Sequence, residues 1–250
     1  IALAFLGFYP WHRFPELPSP WWPCVAAGAA FALGNLFTVL ALTYGEASVA
    51  TPALGMKVVL VAFLAWAMAG TELTVGTWAA AFMTLAGLIC LVGLPRHVTA
   101  DRAVASLALS VVAAISYAAF DVMIQAWTHR LSFGLLGPPS MVVTALLSLP
   151  LAWRSGRLSL GIPAPARGLL AAGVGLFAGQ GLLLIWAIGH YQDAAGANVV
   201  YACRGIFSVV LVSLLVRWFG RVERFATRGV FVRRLVGAIL MAGAVGLLFV

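Results

Sequence analysis

The chain is 250 residues long, 63% hydrophobic and only 9% charged, with a net charge of +8 and a mean hydropathy of +1.05. Soluble domains carry roughly 25% charged residues, so this composition excludes one, and the long unbroken apolar runs exclude a β-barrel of alternating strands about ten residues long. The positive charge is no sign of nucleic acid, because the arginines crowd into a few loops beside apolar runs, as a membrane-topology signal does.

A bilayer core about 30 Å thick takes about 20 apolar residues per helix, and the elements follow in order on that ruler. Residues 1–9 are too short to span and read as the end of a helix. A polar, proline-rich segment over 10–20 leads to Trp21 and Trp22, an aromatic pair suited to the membrane interface. The first complete span, 22–43, carries Asn35 near its middle. After a turn at Tyr44-Gly45-Glu46 the second span, 47–69, holds Pro52 in its early turns and Lys57 near its centre. Gly70-Thr71-Glu72 is a loop, and the third span, 75–94, closes at Pro95-Arg96.

Residues 96–102 form the one plausible linker between halves. Beyond it, the span 103–127 places Tyr117, Asp121 and Gln125 one turn apart on a single face. His129 and Arg130 close that span. The next, 131–151, contains Pro138-Pro139, expected to break its first third and to leave freed backbone groups for neighbouring helices or water to satisfy. A basic loop over 153–167 precedes spans at 168–189, with Gln180, and 194–216, with Asn198 and Arg204. Another basic loop, 217–228, leads to the last span, 229–250. The total is eight complete spans and a partial one.

Residues 28–57 recur 147 positions later as 175–204: Tyr44 matches Tyr191, Glu46 matches Asp193 and Lys57 matches Arg204. Tyrosines, acids and bases are scarce here, so their gapless recurrence argues for duplication. Gly87 and Gly93 recur as Gly237 and Gly243 at an offset of 150. The second half holds five spans and the first three and a stub, so about 45 residues are expected to precede residue 1, on an offset treated as a prior. Five helices per repeat is odd, which requires the halves to enter the membrane in opposite senses, an inverted repeat with a substrate site near the midplane. Charge agrees: the loop after the second span has no Lys or Arg, whereas its copy holds Arg217, Arg221, Arg224 and Arg228.

Lys57 and Arg204 each sit about ten residues into a span, where a base costs about 2.5–3.5 kcal/mol on insertion scales and is directed into a cavity or paired. Two readings stand side by side: a structural ion pair or carbonyl clamp, and contact with an anionic or carboxylate substrate. Asp121, the acid lying well inside a span, is the candidate for proton or cation coupling; a solvated interfacial aspartate is the alternative. Gln125, Tyr117, Asn35, Gln180 and Asn198 can hydrogen-bond a polar substrate, or serve as interhelical contacts worth around 0.6 kcal/mol each. Trp186 and Tyr201 read as packing aromatics. Glu46 and Asp193 suit the first turn of the following helix, where a carboxylate complements the dipole. Cys24, Cys90 and Cys203 lack metal-ligand or CxxC spacing and read as small core residues.

The repeat, the tyrosine and acid at its turn, Glu72 and Glu223 in corresponding loops, and the paired-glycine last helices resemble the drug/metabolite transporter superfamily, in particular its EamA-like ten-helix members. That resemblance implies two inverted five-helix repeats, 1–95 (lacking its first helices) and 103–250. It implies a secondary transporter or exporter of small metabolites or drugs in the bacterial inner membrane, a monomer or homodimer, moved by protons or a counter-substrate and needing no cofactor. No P-loop, metal cluster or nucleophile elbow appears, which disfavours a pump or an enzyme. A non-transporting membrane scaffold or receptor is the rival reading. Orientation is in conflict: the positive-inside rule puts the loops at Arg96, Arg154 and Arg221 in the cytoplasm and Val250 outside, whereas the resemblance implies both termini inside.

Overall fold

The computed structural model describes residues 2–11, 19–44, 47–92, 100–154, 164–207 and 228–249. Glu46, Gly93, Glu223, most of the proline-rich segment, the linker at 96–99 and the arginine loop at 217–227 lie outside them. The described elements are helical: α1 (Ala2–Leu6), α2 (Trp22–Tyr44), α3 (Ala47–Leu54), α4 (Lys57–Ala69), α5 (Val75–Val92), α6 (Ala100–Arg154), α7 (Ala164–Tyr191), α8 (Ala194–Ala202) and α9 (Arg228–Leu247). Among the described residues, the segments Trp22–Tyr44, Val49–Ala69, Asp101–Pro150 and Ala166–Tyr191 are long and apolar enough to cross a membrane. The all-α, polytopic membrane class expected from composition is therefore what the chain adopts.

The second span is present as Val49–Ala69, and within it α3 gives way to α4 through a turn at Gly55-Met56. One expectation needs correction: Pro138-Pro139 do not break their helix. The non-helical residue in α6 is Ser132 (φ 60°, ψ 159°), beside the boundary read between the spans 103–127 and 131–151, and the helix then runs through both prolines to Arg154. Pro139 has no N–H, so the Leu135 carbonyl loses its helical donor. Cys24 Sγ supplies one instead, at 3.5 Å. A thiol from a neighbouring helix thus satisfies a group the proline frees, as an apolar environment demands.

Contacts divide the chain into two compact units, 1–35 with 119–193 and 36–118 with 194–250, each drawing on both halves of the sequence. In the first unit, α2 and the later part of α6 approach closely at Gly28, where an added Cβ would lie 2.5 Å from the Ser140 carbonyl oxygen. Thr144 Oγ1 donates to the Gly28 carbonyl at 2.9 Å across this contact. Phe31 packs against Phe120 and Trp22 against Trp127 along the same pair of helices. Gly189 of α7 lies against Thr128, and α1 sets Phe5 and Phe8 against Phe133.

The second unit is built on α5 and α9. A Cβ on Gly87 would lie 2.9 Å from the Gly237 carbonyl oxygen, and one on Gly237 would lie 2.6 Å from that of Gly87. Small residues permit such backbone approach, which within a membrane replaces the hydrophobic effect as the source of helix pairing. Gly76 meets Leu247 at the other end of the pair, so the two helices run antiparallel. Val58, Ala62, Ala80, Ala81, Ala195, Val199 and Ala244 close a core among α4, α5, α8 and α9.

The α3–α4 interruption follows from sequence. Pro52 cannot donate to the carbonyl four residues before it, and Gly55 lets Leu88 come where a Cβ would lie only 1.9 Å from its Cδ2. Bonds shorten to the 3₁₀ pattern, Gly55 N–H to Pro52 C=O at 3.0 Å and Met56 N–H to Ala53 C=O at 3.1 Å. The same bond recurs 147 positions on, from Cys203 N–H to Val200 C=O at 3.1 Å. Val199 and Ala202 stand there in place of the proline and the glycine, and Asn198 Nδ2 donates to the Ala194 carbonyl at 2.8 Å.

Candidate functional site

Each interruption delivers a base: Lys57 opens α4, and Arg204 opens the helical turn at 204–207. Around them the second unit assembles a cluster. Lys57 Nζ lies 5.9 Å from the ring centroid of Tyr117 and 5.9 Å from that of Tyr201. Arg204 Cζ lies 4.2 Å from the Tyr201 centroid, and its Nη1 donates to the Tyr201 hydroxyl. Thr38 Oγ1, from α2, donates to the Tyr117 hydroxyl at 3.3 Å. One ring, Tyr201, is shared by both cations.

Cation–π contact is worth about 0.5–2 kcal/mol according to desolvation, so the two tyrosines help hold these bases within apolar spans. They do not neutralise them. The ring distances bound the charge separation at about 10 Å, where two like charges repel by about 1.7 kcal/mol at an effective dielectric of about 20. Lys57 is half-buried and Arg204 exposed, beside three hydroxyl groups.

The remaining predicted residues are distributed as follows. Asp121 and Gln125 follow Tyr117 at one and two turns along α6, belong to the first unit and are buried, Asp121 at 1% exposure. Asn35 Nδ2 donates to the Phe31 carbonyl on its own helix at 3.1 Å. Asn198, also buried, uses its amide on Ala194 as described. Gln180 is half-buried on α7 in the first unit. Asp193 stands directly before α8 rather than in its first turn, exposed. Among the described residues no three His, Cys, Asp or Glu side chains gather as metal ligands. An open apolar groove of about 430 Å³ lies elsewhere on the first unit, lined by Leu6, Trp21, Val25, Pro138 and Val142 among others, and includes none of the predicted residues.

Sequence reasoning placed Tyr201 among packing aromatics and passed over Thr38. The available signal for Tyr201 was its position three residues before Arg204, a spacing that puts two side chains on one helical face. The repeat concealed it, because the equivalent position in the first half is Leu54.

With this geometry in view, the chain defines an all-helical, polytopic membrane protein. Its residues 1–93 match the EamA-like transporter family, so the resemblance drawn from the repeat and its motifs holds over that segment. A solved structure, described only as "Crystal structure of protein", is similar over 93% of this chain and 78% of its own length, with a TM-score of 0.67 and 18% identity. At that identity the likeness shows a shared fold. No curated protein matches the chain.

Proposed function

We propose that the protein is a secondary transporter of small metabolites or drugs, working by alternating access between two repeats of opposite membrane sense. The observation that carries this reading is the helix interruption before Lys57 and its recurrence before Arg204. Interrupted spans bearing charge near the bilayer midplane, at equivalent places in two repeats, are how secondary transporters build a substrate site. The antiparallel contact of Gly87 with its own equivalent, Gly237, supports opposite insertion, since equivalent helices of same-sense repeats run parallel. Lys57, Arg204 and Tyr117 contact substrate in this reading. Asp121, buried and carried by the same helix as Tyr117, is the coupling carboxylate, because an intramembrane acid that alternates between protonated and charged states is the usual proton relay.

Proteoliposomes loaded against an imposed pH gradient test this. Gradient-driven accumulation of a substrate by the native chain, lost in Asp121→Asn while exchange of internal for external substrate persists, is the expected pattern. A chain that carries no small molecule with either a pH gradient or a counter-substrate contradicts transport. Accumulation that Asp121→Asn leaves intact contradicts the role given to Asp121.

A further inference from the structure

The apolar groove on the first unit runs in a direction that its lining residues fix. Trp21 stands at one end, and it immediately precedes the span Trp22–Tyr44. That end therefore lies at the membrane interface, where tryptophan is enriched. From there α2 and the later part of α6 go inward side by side: Cys24 meets the Leu135 carbonyl, and Gly28, one turn on, meets Ser140 and Val143. The groove follows them, with Val25 and Val142 further in. Two polar groups in its wall are already engaged, the Trp11 indole N–H on the Leu6 carbonyl at 3.1 Å and the Cys24 thiol on that of Leu135. A polar metabolite finds little to bond in it, whereas a hydrocarbon chain needs no partner.

A positive charge stands beside the outer end. Trp22, next to Trp21, has its ring 4.9 Å from that of Trp127, and the Arg130 guanidinium lies 5.2 Å from the Trp127 centroid. This packing brings the segment before Ser132 to the level at which α2 begins. Arg130 is exposed, with His129 exposed next to it. Among the described residues no carboxylate pairs with Arg130.

We propose that the groove holds an acyl chain of an anionic phospholipid, whose phosphate sits against Arg130. The site goes beyond the transport reading and does not depend on it, since the groove and Arg130 belong to the first unit while Lys57 and Arg204 belong to the second. Charge selects the occupant. A zwitterionic lipid fills the groove but brings no net negative charge to the base, and a free phosphate meets the base but leaves the groove open. An anionic phospholipid does both, and each base near a membrane surface favours such headgroups. The bound chain also joins α1 to α2 and α6, through Leu6, Val25 and Val142.

Native mass spectrometry of the purified full chain in detergent tests this, with dioleoyl phosphatidylglycerol, dioleoyl phosphatidylcholine and glycerol 3-phosphate as probes. One phosphatidylglycerol is expected to bind saturably, about fivefold more tightly than phosphatidylcholine, the effect of one base at a membrane surface. Glycerol 3-phosphate, which has the headgroup chemistry without the chains, is expected not to bind. Arg130→Gln should leave the two lipids equal, and Arg130→Lys should keep the preference, because a point charge suffices at a solvated headgroup. Val25→Trp, which fills the groove from an exposed position, should weaken both lipids at least about tenfold, the loss of roughly two buried methylenes. If one of these variants does not fold, the other decides. The proposal is overturned if phosphatidylcholine binds as tightly as phosphatidylglycerol, or if glycerol 3-phosphate binds as the lipid does. It is equally overturned if the preference survives Arg130→Gln, if binding survives Val25→Trp, or if the chain forms a dimer that Val25→Trp abolishes, which would make a second copy the occupant.

Discussion

At the scale of single residues, the membrane makes small polar groups expensive to leave unmatched. Cys24 was legible in the sequence only as a compact apolar side chain, because nothing local says which carbonyl a thiol will meet 111 positions away. The reason it matters is Pro139, whose missing N–H creates the vacancy at Leu135. Cys24→Ala should destabilise the protein by about 1 kcal/mol, the net worth of a typical hydrogen bond, and Cys24→Ser should recover most of it. Unfolding of the two variants in detergent, compared with the native chain, measures the difference; equal stability of all three would remove the thiol from this role. Lys57 and Arg204 were legible for the opposite reason. A base in the middle of an apolar run is conspicuous in any membrane sequence, and its recurrence at a fixed offset made it more so. Tyr201 was not, since an aromatic among aromatics has no such contrast.

At the scale of elements, close helix contacts rather than hydrophobicity decide which glycines count. Gly87 and Gly175 look alike in sequence, each in the middle of an apolar helix. In the structure a Cβ on Gly87 would lie 2.6 Å from Met241 Cγ and 2.9 Å from the Gly237 carbonyl, whereas a Cβ on Gly175 or Gly179 meets nothing within 4 Å. Gly87→Ala should therefore cost about 1–3 kcal/mol through forced separation of α5 and α9. Gly179→Ala should be neutral or stabilise by up to about 1 kcal/mol, since Gly loses more backbone freedom than Ala in a helix. Urea or thermal unfolding of the two variants gives the comparison, and a Gly87→Ala protein as stable as Gly179→Ala would contradict the close approach of α5 and α9 at Gly87.

The spans themselves were readable because twenty apolar residues have one physical meaning in water-facing sequence. Their interruptions were less so. Pro52 and Gly55 announce the turn before Lys57, but the equivalent turn before Arg204 has Val199 and Ala202 at those places. Pro138 and Pro139, by contrast, leave α6 unbroken, while Ser132, next to the boundary read at His129-Arg130, has a non-helical backbone. Helix breaks imposed by packing leave no composition signal.

At the scale of the whole molecule, the proposed inversion of the repeats is what would relate Lys57 to Arg204 by symmetry. If the halves insert with opposite sense, equivalent helices run antiparallel and residues close to the axis relating them meet their own equivalents; α5 and α9 behave this way at Gly87 and Gly237. Loops at equivalent places must then face opposite sides of the membrane. The loop after α4 carries Thr71 and no base, and its counterpart at 217–228 carries four arginines, so the positive-inside rule assigns the second to the cytoplasm and the first to the outside. In a chain with Cys24, Cys90 and Cys203 replaced by serine or alanine, single cysteines at Thr71 and Arg221 should react with a membrane-impermeant thiol reagent from opposite sides: Thr71→Cys in intact cells, Arg221→Cys only after the membrane is opened. Labelling of both from one side would leave the repeats parallel. Lys57 and Arg204 would then no longer be exchanged by a two-fold axis lying in the membrane plane, and the case for alternating access through equivalent interruptions would lose its basis. Labelling from opposite sides but with the senses exchanged would keep the inversion and show that charge in these loops does not set orientation.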